Sequence, residues 1–378
     1  MNLFSLSKLL EGFTSFTWQA GVMIVVGGIL ILLAIAKEYE PLLLLPIGLG
    51  CILANLPLTG MLDRDASGKA MGLLSVLYDF GIANELFPSL IFIGIGAMTD
   101  FGPLLENPFY ALFGAVAQFG IFGTCIIATL LGFSIYEAAS IGIIGAADGP
   151  TSIFVASALA PKLVGPITVA AYSYMSLVPI IQPPVMKLLT TRKERSTRMA
   201  YTLHPVSKVT RILFPLIVTL VCGLIAPKAT PLIGMLMFGN LAREAGVIER
   251  INKAAQNEIA NIVTTFLGIT IGSTMVASDF LTPATLMIIG MGLVAFILDT
   301  AAGVLVGKLA YLITGGKVNP LLGGCGISAF PMSARVVQRI GHDEDYNNFL
   351  LMHAMASNTS GQIASVMAGG VILALLAH

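Results

Sequence analysis

Gly145-Ala146-Ala147-Asp148-Gly149-Pro150-Thr151 is the stretch on which the reading turns. Asp148 is the only charged residue between Glu137 and Lys162, and both flanks are apolar enough to lie in lipid. Glycine and proline around the aspartate break any helix that would carry it. A charged side chain at membrane depth costs at least about 2.5 kcal/mol unless a partner, a cation or water meets it. A broken backbone at that depth is tolerated only where it is buried in protein or lines a cavity. The coincidence of both features describes an ion site; the alternative is a polar kink satisfied by neighbouring helices.

Composition agrees with the lipid setting. Of 378 residues 56% are hydrophobic and only 11% charged, with a mean hydropathy of +0.90. A soluble domain carries roughly a quarter charged residues. The expected fold class is an all-α polytopic membrane protein. Apolar runs of spanning length cover Trp18 to Ile35, Pro41 to Leu56, Phe109 to Gly132, Ile212 to Pro227, Pro283 to Val306 and Phe349 to Leu376. Shorter and broken segments bring the expected total to about ten. Charges balance to zero, which gives nucleic acid no support as a partner.

The polar segment Lys187 to Arg211 carries Arg192, Lys193, Arg195, Arg198 and Lys208 against the single acid Glu194, so loop 187–211 is expected in the cytoplasm. Met1-Asn2-Leu3-Phe4-Ser5 lacks a basic n-region and a cleavage site, and the mature chain is expected to begin there. Cys51, Cys125, Cys222 and Cys325 are scattered in apolar surroundings and read as buried small hydrophobes.

The sequence repeats itself at an offset near 180. Gly94-Ile95-Gly96-Ala97-Met98-Thr99-Asp100-Phe101-Gly102-Pro103 answers to Gly268 through Ser278-Asp279-Phe280-Leu281-Thr282-Pro283, and an apolar span follows each. The Asp148 stretch answers to Gly323-Gly324-Cys325-Gly326-Ile327-Ser328-Ala329-Phe330-Pro331. Tyr172-Ser173-Tyr174-Met175-Ser176 through Pro179 to Gln182 answers to His353 through Ser357-Asn358-Thr359-Ser360-Gly361-Gln362. The chain therefore divides into N-terminal membrane helices (1–60), a first repeat with the Asp148 break (61–190), a basic loop and connecting helices (191–240), and a second repeat with the Arg335 and Asn358 segments (241–378). An odd number of spans per copy makes the repeats inverted, with broken or re-entrant helices meeting near the midplane around an ion. Asp148 is then paired with Ser328, and the Pro179 break with a break at Asn358 to Gly361.

One carboxylate joined by the neutral oxygens of Asn358, Thr359 and Ser360 suits a monovalent cation such as sodium, or a proton, better than calcium. Arg335 follows an apolar segment with no charge since Lys317. It either grips a carboxylate bidentately or, with Arg339, marks the cytoplasmic end of a helix. Asp299 is a second midspan acid, read as a further ion site, a relay, or a partner of Lys308 or of a helix backbone. Tyr172 and Tyr174 each offer a phenol to a cavity or to an interfacial belt. Asp100 and Asp279, beside proline at segment ends, read as helix caps. Val185-Met186-Lys187-Leu188 mimics the tetrapeptide that carries biotin, but it ends a membrane helix and is rejected as a biotinylation site. No Walker motif, nucleophile elbow or zinc signature occurs.

Taken together, Glu40-Pro41-Leu42-Leu43-Leu44-Leu45-Pro46-Ile47-Gly48, the Asp148 stretch, Gly326-Ile327-Ser328-Ala329-Phe330-Pro331 with Arg335, and Ser357-Asn358-Thr359-Ser360-Gly361-Gln362 resemble the β subunit of biotin-dependent, sodium-pumping decarboxylases. That family acts on oxaloacetate, methylmalonyl-CoA, glutaconyl-CoA or malonate. The resemblance implies a multi-pass protein of the bacterial inner membrane that decarboxylates carboxybiotin and exports sodium, consuming a proton. Carboxybiotin would ride on a partner, with no biotin on this chain. The implied partners are a carboxyltransferase α subunit, a biotin carrier subunit or domain, a small single-helix membrane subunit, and further copies of β. By the same resemblance Asp148, Asn358 and Ser328 hold sodium, Tyr174 handles sodium and protons, Asn319 and Gly323 belong to the functional segment, and Arg335 contacts carboxybiotin. The chain is shorter than enterobacterial oxaloacetate-type members, which favours an acyl-CoA decarboxylase. The competing reading is a sodium-coupled secondary transporter, either a carboxylate symporter or a sodium/proton antiporter.

Overall fold

The structure, a computed structural model, describes residues 6–38, 40–199 and 206–376. Met1 to Ser5 and residues 200–205 of the basic loop lie outside the described residues. The fold is all-helical. Its principal helices are α1 (Trp18–Ala36), α2 (Pro41–Ala54), α3 (Leu86–Met98), α4 (Phe119–Leu130), α5 (Ile135–Gly142), α6 (Gly149–Leu159), α7 (Val164–Ser176) and α8 (Val178–Leu189), followed by α9 (Lys208–Ile225), α10 (Ala260–Ser273), α11 (Pro283–Ile313), α12 (Met332–Glu344) and α13 (Leu351–Leu376).

Among the described residues, five helices are long and apolar enough to cross a membrane: Trp18–Ala36, Pro108–Leu130, Lys208–Ile225, Pro283–Ile313 and Leu351–Leu376. Two bent pairs, Leu73–Gly81 with Leu86–Met98 (61°) and Pro161–Ser176 with Val178–Leu189 (69°), raise the number to seven. The expected total of about ten counted shorter and broken segments as well, and three shorter apolar helices stand beside these seven. Pro41–Ala54, Ile135–Ala146 and Gly149–Leu159 are apolar but short, because turns and prolines cut the runs before they reach the ~20 residues a span needs.

The ends of the long helices are written locally. Thr282 caps α11 by accepting from the Thr285 amide at 3.3 Å, and Pro283 fills its first turn, where no N–H is missed. Glycines set the closest crossings. A Cβ on Gly272 would come within 2.1 Å of the Ile47 carbonyl oxygen, and one on Gly50 within 2.1 Å of that of Ile269. α2 and α10 thus meet backbone to backbone, as small residues allow in lipid. α13 and α11 run through the interior, with 61% and 50% of their most apolar windows buried, whereas α9 with 11% lies on the outside.

The Pro179 break is present: α7 ends at Ser176, α8 starts at Val178, and Pro179 sits in its first turn. The expected counterpart at Asn358 to Gly361 is absent, and α13 runs unbroken from Leu351 to Leu376. That stretch has no proline, and its lone glycine costs only about 1 kcal/mol in a helix. Ser360 returns its hydroxyl to the Ser357 carbonyl at 2.6 Å, which keeps the turn closed. Asp100 accepts from the Gly102 amide at 2.8 Å, in keeping with a capping role. Asp279 caps nothing; Thr282 takes that position before α11.

Candidate functional site

Two interrupted segments meet in the interior. In the first, α5 tightens into a 3-10 turn (Ile143–Ala146), Ala147 turns left-handed at φ 52°, and Asp148 becomes the N-cap of α6. In the second, a 3-10 stretch (Pro320–Cys325) runs through irregular backbone to Pro331, where α12 begins. The Ser328 amide donates to the Ala146 carbonyl at 2.9 Å, tying one break to the other. The two positions of the first repeat pairing, Asp148 and Ser328, are therefore neighbours in space.

Asp148 is 3% exposed. Its Oδ1 accepts from the Thr151 amide at 3.3 Å. Its Oδ2 accepts from the hydroxyls of Thr151 (2.8 Å), Ser365 (2.8 Å) and Ser328 (3.3 Å). The N-terminus of α6 adds its partial positive charge. An ionised carboxylate is thus met by donors from three separate parts of the chain. Gly149 must be glycine here, because a Cβ would fall 2.0 Å from the Tyr172 ring.

Two further oxygens remain open. Asn358, fully buried on α13, donates its amide to the carbonyls of Ile327 (2.7 Å) and Cys325 (3.3 Å), which leaves Oδ1 without a partner among the described residues. Gln362 donates to the Ser328 carbonyl and leaves Oε1 equally unpartnered. With the Asp148 carboxylate these make one formal charge and neutral oxygens, the donor set that suits sodium. Among the described residues no group of three His, Cys, Asp or Glu side chains occurs. A transition-metal site therefore has no ligand set there.

A cavity of about 550 Å³ reaches this point, with Asp148, Tyr172, Ser328 and Gln362 on its inner wall and Glu40 and Gln256 farther along it. Met98, which is exposed, also lines it and is two residues from Asp100, which pairs with Arg211 and Arg243.

Not every expected residue comes here. Tyr174 turns away and donates its hydroxyl to the Ile289 carbonyl of α11 at 2.5 Å, so Tyr172 supplies the cavity phenol. Asn319 ties the basic segment down: it donates to the carbonyls of Arg195 and Thr197, both at 2.9 Å, and caps the Leu321 amide. Gly323 serves a backbone crossing, since a Cβ would lie 1.9 Å from the Gly303 carbonyl oxygen. Arg335 is exposed on α12, and its guanidinium makes no hydrogen bond or ion pair among the described residues. It stands one turn beyond Met332, which lines the cavity. Asp299 does not pair with Lys308, whose ammonium goes to Glu194 (3.5 Å) and the Leu189 carbonyl (3.0 Å). Lys187 lies exposed in the last turn of α8.

Ser365, Thr151 and Gln362 had drawn no role from the sequence. A signal for two of them was present: Asn358, Gln362 and Ser365 follow at i, i+4 and i+7 and share one face of the helix.

The profile of the family described as Na+-transporting oxaloacetate decarboxylase beta subunit matches residues 19–376. Glutaconyl-CoA decarboxylase subunit beta of Acidaminococcus fermentans is 53% identical over 366 residues, covering 97% of this chain and 96% of the relative. Methylmalonyl-CoA decarboxylase subunit beta of Veillonella parvula is 53% identical over 368 residues, with the same coverage. Oxaloacetate decarboxylase beta chain of Klebsiella pneumoniae is 45% identical over 426 residues, covering 98% of each chain.

Proposed function

The chain belongs to the Na+-transporting decarboxylase beta-subunit family, and from that premise we propose that it decarboxylates carboxybiotin at the Asp148 cavity and exports sodium through it. The observation that carries this reading is the buried Asp148 carboxylate on the cavity wall with Gln362, whose Oε1 is open, and with the open oxygen of Asn358 one turn before Gln362 on α13. Sodium enters from the cytoplasm through the cavity and takes those oxygens as ligands. The basic segment of loop 187–211 sets the orientation.

Carboxybiotin approaches along α12, where the free guanidinium of Arg335 meets its carboxylate. Loss of carbon dioxide is favoured where water is excluded, and apolar walls such as Leu43, Ile91 and Phe330 provide that. A proton is consumed in restoring biotin. Coupling requires ion movement and carboxybiotin cleavage to bias the same two-state element. The two interrupted segments, as inverted partners moving against α11, form that element.

Biotin arrives on a carrier subunit or domain loaded by a carboxyltransferase α subunit. A small single-helix subunit and further copies of this chain complete an assembly in the bacterial inner membrane. The acid consumed is an acyl-CoA, a choice supported by the higher identity to the glutaconyl-CoA and methylmalonyl-CoA relatives.

The test is sodium uptake by proteoliposomes holding the whole complex, driven by each acid in turn. Asp148→Asn abolishes uptake and sodium-dependent carboxybiotin cleavage together, while Arg335→Lys slows cleavage and keeps sodium binding. Sodium uptake without any biotin partner would favour a symporter instead.

A further inference from the structure

Asp299 is 0% exposed in the middle of α11, and neither carboxyl oxygen has a hydrogen-bond partner among the described residues. The nearest backbone amides, those of Gly120 and Ile121 on α4, do not close a hydrogen bond of ordinary geometry. Room for the carboxyl is made by two glycines. A Cβ on Gly120 would lie 2.0 Å from Oδ1, and one on Gly145 would lie 2.2 Å from Oδ2. Packing this close leaves no space for a hydrated cation.

The surrounding elements set no free charge against it. α4 offers Cys125, α5 offers Tyr136 and Glu137, the latter bonded to Ser134, α7 offers Tyr172 and Tyr174, the Pro320–Cys325 stretch offers Cys325, and the Ile143–Ala146 turn offers nothing titratable. None of these is bonded to Asp299. α8 carries Lys187 in its last turn, and Lys308 of α11 is committed to Glu194. An ionised carboxylate here would be uncompensated, at a cost of several kcal/mol.

Position gives the residue its meaning. Gly145 belongs to the 3-10 turn that leads to Asp148, and Ala146 of the same turn is bonded to Ser328. The turn is therefore held between the Asp299 carboxyl on one side and the second interrupted segment on the other. Any displacement of the turn from α11 uncovers Asp299.

We propose that Asp299 is a proton-binding site of the transport cycle, taking up a proton (COO− + H+ → COOH) when the Ile143–Ala146 turn packs on α11 and returning it to water when they separate. This rests on the reading of Asp148 as the site of the transported sodium, since sodium binding would move the same turn.

Infrared difference spectra of the purified complex, taken with and without sodium, read the carboxyl directly. The wild type is expected to show the C=O band of a buried protonated carboxyl, with an intensity that changes on sodium addition. Asp299→Asn, which keeps the shape and a neutral group, is expected to lose that band while the complex stays assembled. Its sodium uptake should fall by about a hundredfold, the lower range for removal of a positioned proton-transfer group. Absence of the band from the wild type, its persistence in Asp299→Asn, or indifference of the band to sodium would each overturn the proposal. So would wild-type uptake by Asp299→Asn. Failure of the wild type to bind radioactive sodium, with the protonated band present, strikes the Asp148 reading and leaves the protonated carboxyl standing.

Discussion

Asp148 and Asp299 are both buried carboxyls in apolar sequence, but the protein treats them in opposite ways. Asp148 sits where a helix is broken, receives three hydroxyls and an amide, and borders a cavity. Asp299 sits in an unbroken helix of 31 residues, receives no side-chain donor, and is closed in by two glycines. The same side chain is prepared for charge in one place and for neutrality in the other. Donor count and backbone freedom decide which role an intramembrane acid can take, and depth in the membrane does not.

The largest effect expected short of removing Asp148 itself comes from stripping its donors. Ser365→Ala with Thr151→Val removes both 2.8 Å hydroxyl contacts. Each hydrogen bond to a charged group contributes about 1.5–3 kcal/mol. Sodium affinity, read by isothermal titration of the complex, should drop by roughly a hundredfold. An unchanged affinity would mean that the hydroxyls are incidental.

A somewhat smaller effect sharpens the Asp299 side. Gly145→Ala drives a methyl group into Oδ2, and overpacking of this kind costs about 1–3 kcal/mol. Thermal unfolding in detergent should show the loss, and the added Asp299→Ala should recover most of it. Additive losses in the double variant would show that the two residues do not share a contact.

The smallest effect is at the surface, where a pair of charges has water on all sides. Hydrogen bonding to the Arg198 guanidinium holds the Asp345 carboxyl below its usual range. Its folded-state value is depressed, so the pair's stabilisation is present above the ordinary aspartate range and fades as pH falls through the depressed value. Arg198→Ala should lower the unfolding temperature slightly at neutral pH and not at all in strong acid. Exposed pairs contribute little, and a large shift would contradict this account.

The contrast also marks how far the sequence could be read. The lipid setting, the Asp148 break, the Pro179 bend and the approach of Ser328 to Asp148 all followed from local rules, namely apolar run length, proline geometry and an internal repeat. Asn358 to Gly361 misled because small polar residues resemble a break when their hydroxyl partners are unseen; Ser357 and Ser360 find carbonyls at Leu322 and Tyr110, far away in sequence. The choice of Tyr172 over Tyr174 depends on which side of α7 faces α11, which one chain's periodicity does not settle. The bonds from Asn319 to the basic segment were out of view for the same reason. The isolation of Asp299 rests on Gly120 and Gly145, which lie 179 and 154 positions away.

Sodium binding to three purified complexes tests the central claim most directly. Radioactive sodium retained at equilibrium should be saturable in the wild type, lost in Asp148→Asn, and still present in Asp299→Asn. Saturable sodium binding by Asp148→Asn at wild-type affinity would contradict the account.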